Sequence, residues 1–458
     1  MKKKLTLVLA AAALGGCSFI PTYERPAAPV AAAFPYPGAD SGTQATQLPW
    51  QEFFPDARLR ELITIALANN RDLRVAALNV EQARAQYDIR RADLYPTVSA
   101  AFSGARTPVN GVNTTVYSAG FQISSWEIDF FGRIRSLSEA GLAQYFATDE
   151  GRKAAQITLI AAVAQNWLAL VADDEALALT QQTLATRDES LRLTKLRFDN
   201  GAASELDFRA AESLTENARA SLALLTRSRA ADLNSLALLL GQPVPTSFQT
   251  PGSTESIRFA DLPAGTPSEV LIARPDVRQA EQLLISANAN IGAARAAFFP
   301  RITLTGAVAG TASSELSGLF KGGTWAYAGT LAAAQTIFDA GRNRATLEVA
   351  NVSRDIAVAQ YEKAIQSAFR EVSDALAGRA TFGTQVESLR KSTEAETVRY
   401  RLSELRYNNG VSSYLDLLDA QRSLYTAQLA LVETRLSQLQ NQVQLYKALG
   451  GGWMPSSS

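Results

Sequence analysis

Few residues in this 458-residue chain could do chemistry, and their types limit what that chemistry is. Histidine is absent, Cys17 is the only cysteine, and the two methionines are Met1 and Met454. Histidine-dependent hydrolysis is ruled out, as are the imidazole and thioether ligands of most transition-metal sites. No nucleophile-and-base pair, metal-ligand cluster or phosphate loop stands out, so the chain does not read as an enzyme. Two features remain. Cys17 cannot form an intrachain disulfide, and its thiol sits where a lipid would be attached. Asp416 and Asp419 lie three apart near the start of a helical segment, which places both carboxylates on one side of it. Acids there also complement the helix dipole, and taken alone the residues favour that plainer role.

The N-terminus fixes the compartment. "MKKKLTLVLAAAALGGC" has three lysines, an apolar stretch and then small residues, the layout of an export signal over 1–16 rather than a transmembrane helix. "LGGC" resembles a bacterial lipobox, which makes Cys17 the lipidated first residue of the mature chain. Ser18 in second place, with no aspartate, resembles lipoproteins sorted to the outer membrane. One acyl chain holds weakly, so a second membrane attachment is expected. The 44 basic and 44 acidic residues balance until the three signal lysines are lost, which gives no support for nucleic-acid binding. Beyond the signal no apolar run of about 18 residues is expected, so no helix spans a bilayer and any crossing is made by strands. The proline-rich part of 17–55, from Pro21 to Pro49, cannot be helix or central strand; it reads equally as an extended strap or a disordered linker.

The remainder is written twice. "RADLYP" (91–96) matches "RAAFFP" (295–300), and "LRFDNGAASELD" (196–207) matches "LRYNNGVSSYLD" (405–416). Offsets this long mark a duplicated structural half rather than a short solenoid repeat. The halves are 56–250 and 251–458.

Each half has the same order of signals. A helical run ends at Pro96 or Pro300. Beyond it the period changes to two, with Tyr117, Ala119, Phe121 and Ile123 opposite Ser118, Gly120, Gln122 and Ser124. This predicts hairpins at about 97–126 and 301–337, with Trp126 and Trp325 near strand ends as an aromatic girdle. From Gly132 to Asn200 and from Gly341 to Asn409 there is no proline, so two helices of about 100 Å are expected. Both need partners along their length. In the last helix Leu415, Leu418, Arg422, Tyr425, Leu429, Val432, Leu436, Leu439, Val443 and Tyr446 form a seam in steps of three and four, with Arg422 its single polar member. Asn-Gly followed by Ser marks helical hairpin tips at 199–204 and 408–413. Alternation alone fits a half-buried sheet as well as a membrane barrel. Four strands, however, cannot close a barrel, and open edges are not tolerated in lipid. A membrane reading therefore needs several chains, and the smallest symmetric solution with a wide bore is a twelve-stranded trimer.

Together the lipobox, the duplicated halves, "DFFGRIR" (129–135), "FDAGRNR" (338–344) and "NIGAARAAFFPRITLTG" (290–306) carry a family resemblance. The chain resembles the TolC-type outer-membrane efflux channels, closest to the OprM-like lipoprotein branch. The resemblance implies a mixed α and β membrane protein: a homotrimer whose twelve-stranded barrel continues as a twelve-helix periplasmic tunnel. The implied partners are a periplasmic membrane-fusion adaptor, an inner-membrane resistance-nodulation-division pump and outer-membrane lipid. No cofactor is implied beyond the lipid on Cys17. The resemblance also assigns Asp416 and Asp419 to an acidic ring at the periplasmic entrance, attracting cations and resisting anions. Asp207 and Tyr407 match positions that keep that entrance shut. Ser412 stands where the family pattern has arginine, so closure is expected to rest on Asp207 with Tyr407 and on apolar contact from Tyr414 and Leu415. A type I secretion duct, a metal-ion export duct and a lipid-anchored coiled-coil scaffold are the competing readings.

Overall fold

Two prolines mark where helix gives way to strand. Helix α3 (Arg71–Ala92) stops just short of Pro96, and β1 (Val98–Val109) begins just past it. Helix α7 (Pro275–Ala296) and β3 (Arg301–Ser313) flank Pro300 in the same way. The structure, a computed structural model, describes residues 18–453 except 40–41, 110–111, 246–247, 249, 251–252, 266, 314–315 and 320–323. Cys17 and the signal lie outside the described residues. Preceding α3 are α1 (Trp50–Phe53) and α2 (Ala57–Asn69). After β1 come β2 (Val112–Glu127), α4 (Arg133–Asp199), α5 (Glu205–Leu240) and α6 (Pro267–Ala273). After β3 come β4 (Thr324–Ala334), α8 (Arg342–Asn408) and α9 (Tyr414–Ala448). The chain divides into two units.

The first unit takes the chain up to Ala27, Leu78–Glu150 and Arg278–Lys363. Its sheet has the order β1-β2-β3-β4, every neighbour antiparallel. The β2–β3 register slips between Ile123 and Trp126, where Ser125 has φ 46°. This is a bulge: the extra residue shifts which side chains share a face. Residues 19–25 form no helix or strand and pack within this unit. Phe19 stacks on Phe299 at 4.7 Å, Asn288 donates to the Pro21 carbonyl at 2.7 Å, and Glu281 accepts from the Tyr23 hydroxyl and from Nε and Nη2 of Arg25.

The second unit comprises Ala28–Ala77, Gly151–Val277 and the chain from Ala364 onward. Its aromatic core holds Phe53 and Phe54, both fully buried, with Tyr446 stacked on Phe53 at 4.1 Å. Burying each such ring is worth roughly 1.5–3 kcal/mol. Gly241, left-handed at φ 68°, ends α5 where a Cβ would lie 2.4 Å from the Asn69 carbonyl oxygen, a conformation and an approach that suit only glycine. Arg274, its side chain 6% exposed, donates to Asp276, Glu371 and the Ala448 carbonyl, tying α7 to α8 and α9. One sequence expectation is corrected here. Helix α4 does contain an 18-residue window of mean hydropathy 1.5, long and apolar enough to cross a membrane by composition, but 56% of it is buried. Ile160, Val163, Ala164, Trp167, Leu168, Leu170 and Val171 are spent on core packing.

Burial, reinforced by the neighbouring Asp232 and Asp174 carboxylates and opposed by Arg229, pushes the Asp173 carboxyl up to about 7. Asp174 is itself held by Arg229 and by the Thr250 hydroxyl. An unfolded aspartate titrates near about 3.9, so between about pH 4 and 7 the native state holds a proton that the unfolded chain has lost, and stability falls as pH rises through that window. Asp173→Asn is therefore expected to melt above wild type at pH 8, with the gap closing towards pH 4. A melting-temperature gap that does not change with pH would show that Asp173 is not the titrating group.

Candidate functional site

The first candidate surface is the sheet. Paired residues share a face, which gives the rows Val98–Ile123–Gly306–Gly329, Ala100–Phe121–Val308–Tyr327 and Phe102–Ala119–Gly310–Trp325. Val98, Phe102, Phe121, Val308, Trp325, Tyr327 and Leu331 are all exposed and all lie on this face. The opposite face carries Ser99, Ser103, Ser118, Gln122, Thr305, Ala307 and Thr330, with the Ser103 and Ser118 hydroxyls 2.7 Å apart. Trp126 pairs with Leu304, so the bulge brings it onto the apolar face. It lies six residues along β3 from the Trp325 partner Gly310, or roughly 20 Å at strand spacing. The half-buried Trp126 and the exposed Trp325 thus bound an apolar band. The band ends at the row of Arg106 with Thr115. At the other end Glu127 pairs with Arg133 and Arg301, which sequence reasoning missed.

The second candidate surface is the pair of helical hairpin tips. Gly201 (φ 73°) and Gly410 (φ 70°) take the left-handed turn after α4 and α8. Ser204 and Ser413 then cap α5 and α9, each in a reciprocal box with the acid three residues on, Asp207 or Asp416. Asp207 is therefore committed to its own helix start, accepting from the Ser204 hydroxyl at 2.7 Å. The structure does not bring Asp207 and Tyr407 together. The Tyr407 hydroxyl instead accepts from Arg197 at 2.6 Å, with the guanidinium 5.5 Å from the ring centre. Arg197 carried no signal in the sequence, because its partner is 210 residues away.

Tyr414 and Leu415 separate. Tyr414 is buried with Ala211, Leu417 and Leu418, against Tyr400 and Tyr407, and its hydroxyl lies 2.8 Å from that of Ser190. Leu415 is 64% exposed and is not part of that cluster. Arg422, expected in the seam, is exposed and pairs with Asp419. Asp419 also binds Arg399 at 2.6 Å, and Arg399 binds Glu396, so Glu396, Arg399, Asp419 and Arg422 form a chain of alternating charge. Arg399 and Arg422 hold the Asp419 carboxyl below the usual carboxylate range. Asp416 is also held low, by Ser413 and Ser412 and by the field of Arg406. Of the two acids assigned to the ring, only Asp416 lacks an ion-paired arginine among the described residues.

A four-stranded sheet with an exposed apolar face on one side and a small polar face on the other is a fragment of a membrane-spanning channel wall. The family described as outer membrane efflux protein matches the chain twice, over residues 62–242 and 266–451, and the chain belongs to that family. It is 47% identical to the antibiotic efflux pump outer membrane protein ArpC of Pseudomonas putida, covering 99% of this chain and 96% of that one. It is 45% identical to the solvent efflux pump outer membrane protein SrpC of Pseudomonas putida, with both chains fully covered. The open-state MtrE outer membrane channel of Neisseria gonorrhoeae superposes with a TM-score of 0.90 at 42% identity, over 95% of this chain and 99% of that one. The chain is an outer-membrane efflux channel protein of the TolC type, located in the Gram-negative outer membrane and extending into the periplasm.

Proposed function

We propose that three copies of this chain close one passive exit duct of a tripartite multidrug efflux system, anchored additionally by lipid on Cys17. Among the described residues, β1 and β4 each have one unpaired edge, and this observation carries the reading. Hydrocarbon cannot satisfy such edges, whereas joining β1 of one copy to β4 of the next around a closed ring leaves none. The contact is head-to-tail, which builds rings. The helix that leads into β1 and the one that follows β4 also carry exposed apolar residues: Leu78 and Ile89 on α3, and Val349, Val352 and Ile356 on α8. A coiled-coil scaffold has no use for the strands. The chain performs no reaction in this reading; energy and cargo choice belong to an inner-membrane resistance-nodulation-division pump, reached through a periplasmic adaptor at the hairpin tips. The named relatives act on antibiotics and solvents, which supports cargo of that chemical range. Recovery of a heat-resistant trimer from the outer-membrane fraction, together with drug and solvent hypersensitivity of a deletion strain, tests the proposal. A protein that stays monomeric in detergent overturns it.

The entrance ring follows from the same assembly. Asp416 supplies its uncompensated charge, and Asp419 is masked by Arg399 and Arg422. Arg399→Ala is expected to unmask Asp419 and shift the zero-current potential in a salt gradient towards stronger cation preference. An unchanged potential would show that Asp419 does not face the conduction path.

A further inference from the structure

We propose that Arg258, Arg390 and Arg435 form a binding site for a small organic oxyanion, a carboxylate or phosphate ester carrying a short apolar group. They line a cavity of about 330 Å³ in the second unit. Val386, Leu431 and Val432 form its apolar wall.

The arginines are placed against electrostatic preference. Arg258 donates to the backbone carbonyls of Glu255 and Ile257, and Arg435 donates to the same Ile257 carbonyl at 3.3 Å and to the Gln438 side chain. Two cations thus converge on one neutral acceptor. Neither is ion-paired with a carboxylate among the described residues, and the buried Arg435 Nε has no hydrogen-bond partner. Burial and then Arg258 push Arg435 below its ordinary value, against weaker support from Glu255 and Glu175.

Two acids line the cavity: Glu255 acts on Arg435 only through its field and is ion-paired with neither Arg258 nor Arg435 among the described residues. Glu175 is committed to the turn that carries Arg258, accepting from the Ser253 hydroxyl and from both the N–H and hydroxyl of Thr254. Glu387 takes the Nε and Nη2 of Arg390, leaving its Nη1. Arg258 and Arg390 are exposed and their free donors meet water, so the buried Arg435 Nε is the donor left unsatisfied, and such a group in a concave place marks a missing acceptor. A planar guanidinium matches a carboxylate or phosphate best. The apolar wall requires more than a bare ion, and the volume falls at the lower end of small-molecule sites.

The test is isothermal titration calorimetry of the full-length protein in zwitterionic lipid nanodiscs, with hexanoate, inorganic phosphate and hexanol as probes. Hexanoate is expected to bind saturably, one per chain, and more weakly as salt is raised. Arg258→Gln and Arg435→Gln should each weaken it about tenfold or more, since each removes a charge-assisted contact. Phosphate should bind less tightly and hexanol not at all. Arg258 is exposed, so its variant folds even if Arg435→Gln does not. Hexanoate binding that vanishes when the discs contain phosphatidylglycerol assigns the natural source to a lipid headgroup; binding that survives assigns it to a soluble anion. Failure of hexanoate to bind, or equal affinity in wild type and Arg258→Gln, overturns the site. Phosphate binding as tightly as hexanoate removes the apolar half of the assignment.

Discussion

Arginine in place of Val308 is expected to abolish the heat-resistant trimer and deplete the protein from the outer membrane, while arginine in place of Ala307 leaves both intact. The two residues are adjacent on β3, and their side chains point to opposite faces. Val308 sits in the row with Phe121 and Tyr327, between the rows that carry Trp126 and Trp325. An arginine facing lipid near the bilayer middle costs about 2–4 kcal/mol, so three copies in a ring cost about 6–12 kcal/mol. That is comparable with the whole stability of a typical domain. Ala307 lies among Gln122, Ala328 and other small or polar residues, where a charge meets the water of the proposed lumen. Measuring trimer bands before and after heating, with outer-membrane yield, separates the two. Equal loss in both variants, or none in either, would mean that this apolar face does not meet lipid.

Single-channel conductance in a planar bilayer is expected to rise severalfold when Tyr407→Phe is combined with Arg197→Ala. The Arg197–Tyr407 contact joins α4 to α8 near the tips, where the next link along the hairpins is the buried Tyr414 cluster. Removing the hydroxyl deletes the charge-assisted hydrogen bond and removing the guanidinium also deletes the ring contact, so the tips lose their cross-link. Asp207→Ala is expected to act by a different route. It breaks the Ser204 box and frays the start of α5, at a cost of about 1 kcal/mol. Its effect should then add to that of the Tyr407 and Arg197 changes rather than being absorbed by them, as expected for sites without a shared partner. A double change at Tyr407 and Arg197 that leaves conductance at the wild-type value would remove this pair from the closed state.

What the residues declared by themselves was local. Pro96 and Pro300 stop a helix wherever they occur, Asn-Gly before Ser turns one helix and caps the next, and two-residue alternation builds strands with two unlike faces. Such signals act over a few residues, so the order of elements, the duplicated halves and the mixed α and β class were legible before any contact was known. The tertiary structure decided everything that depends on distant partners. The Ser125 bulge, set by pairing with β3, moved Trp126 from the face of Gln122 to that of Phe121. Packing sent Tyr414 inward and left its neighbour Leu415 outside, because one helix turn can bury only one side. Arg399 masked Asp419 across 20 residues, and Arg197 found Tyr407 across 210. Helix α4 holds an apolar window of bilayer length that was not expected from the residues, and burial in the core accounts for it. Backbone periodicity is fixed by neighbours in the chain, whereas charge compensation and burial are fixed by neighbours in space.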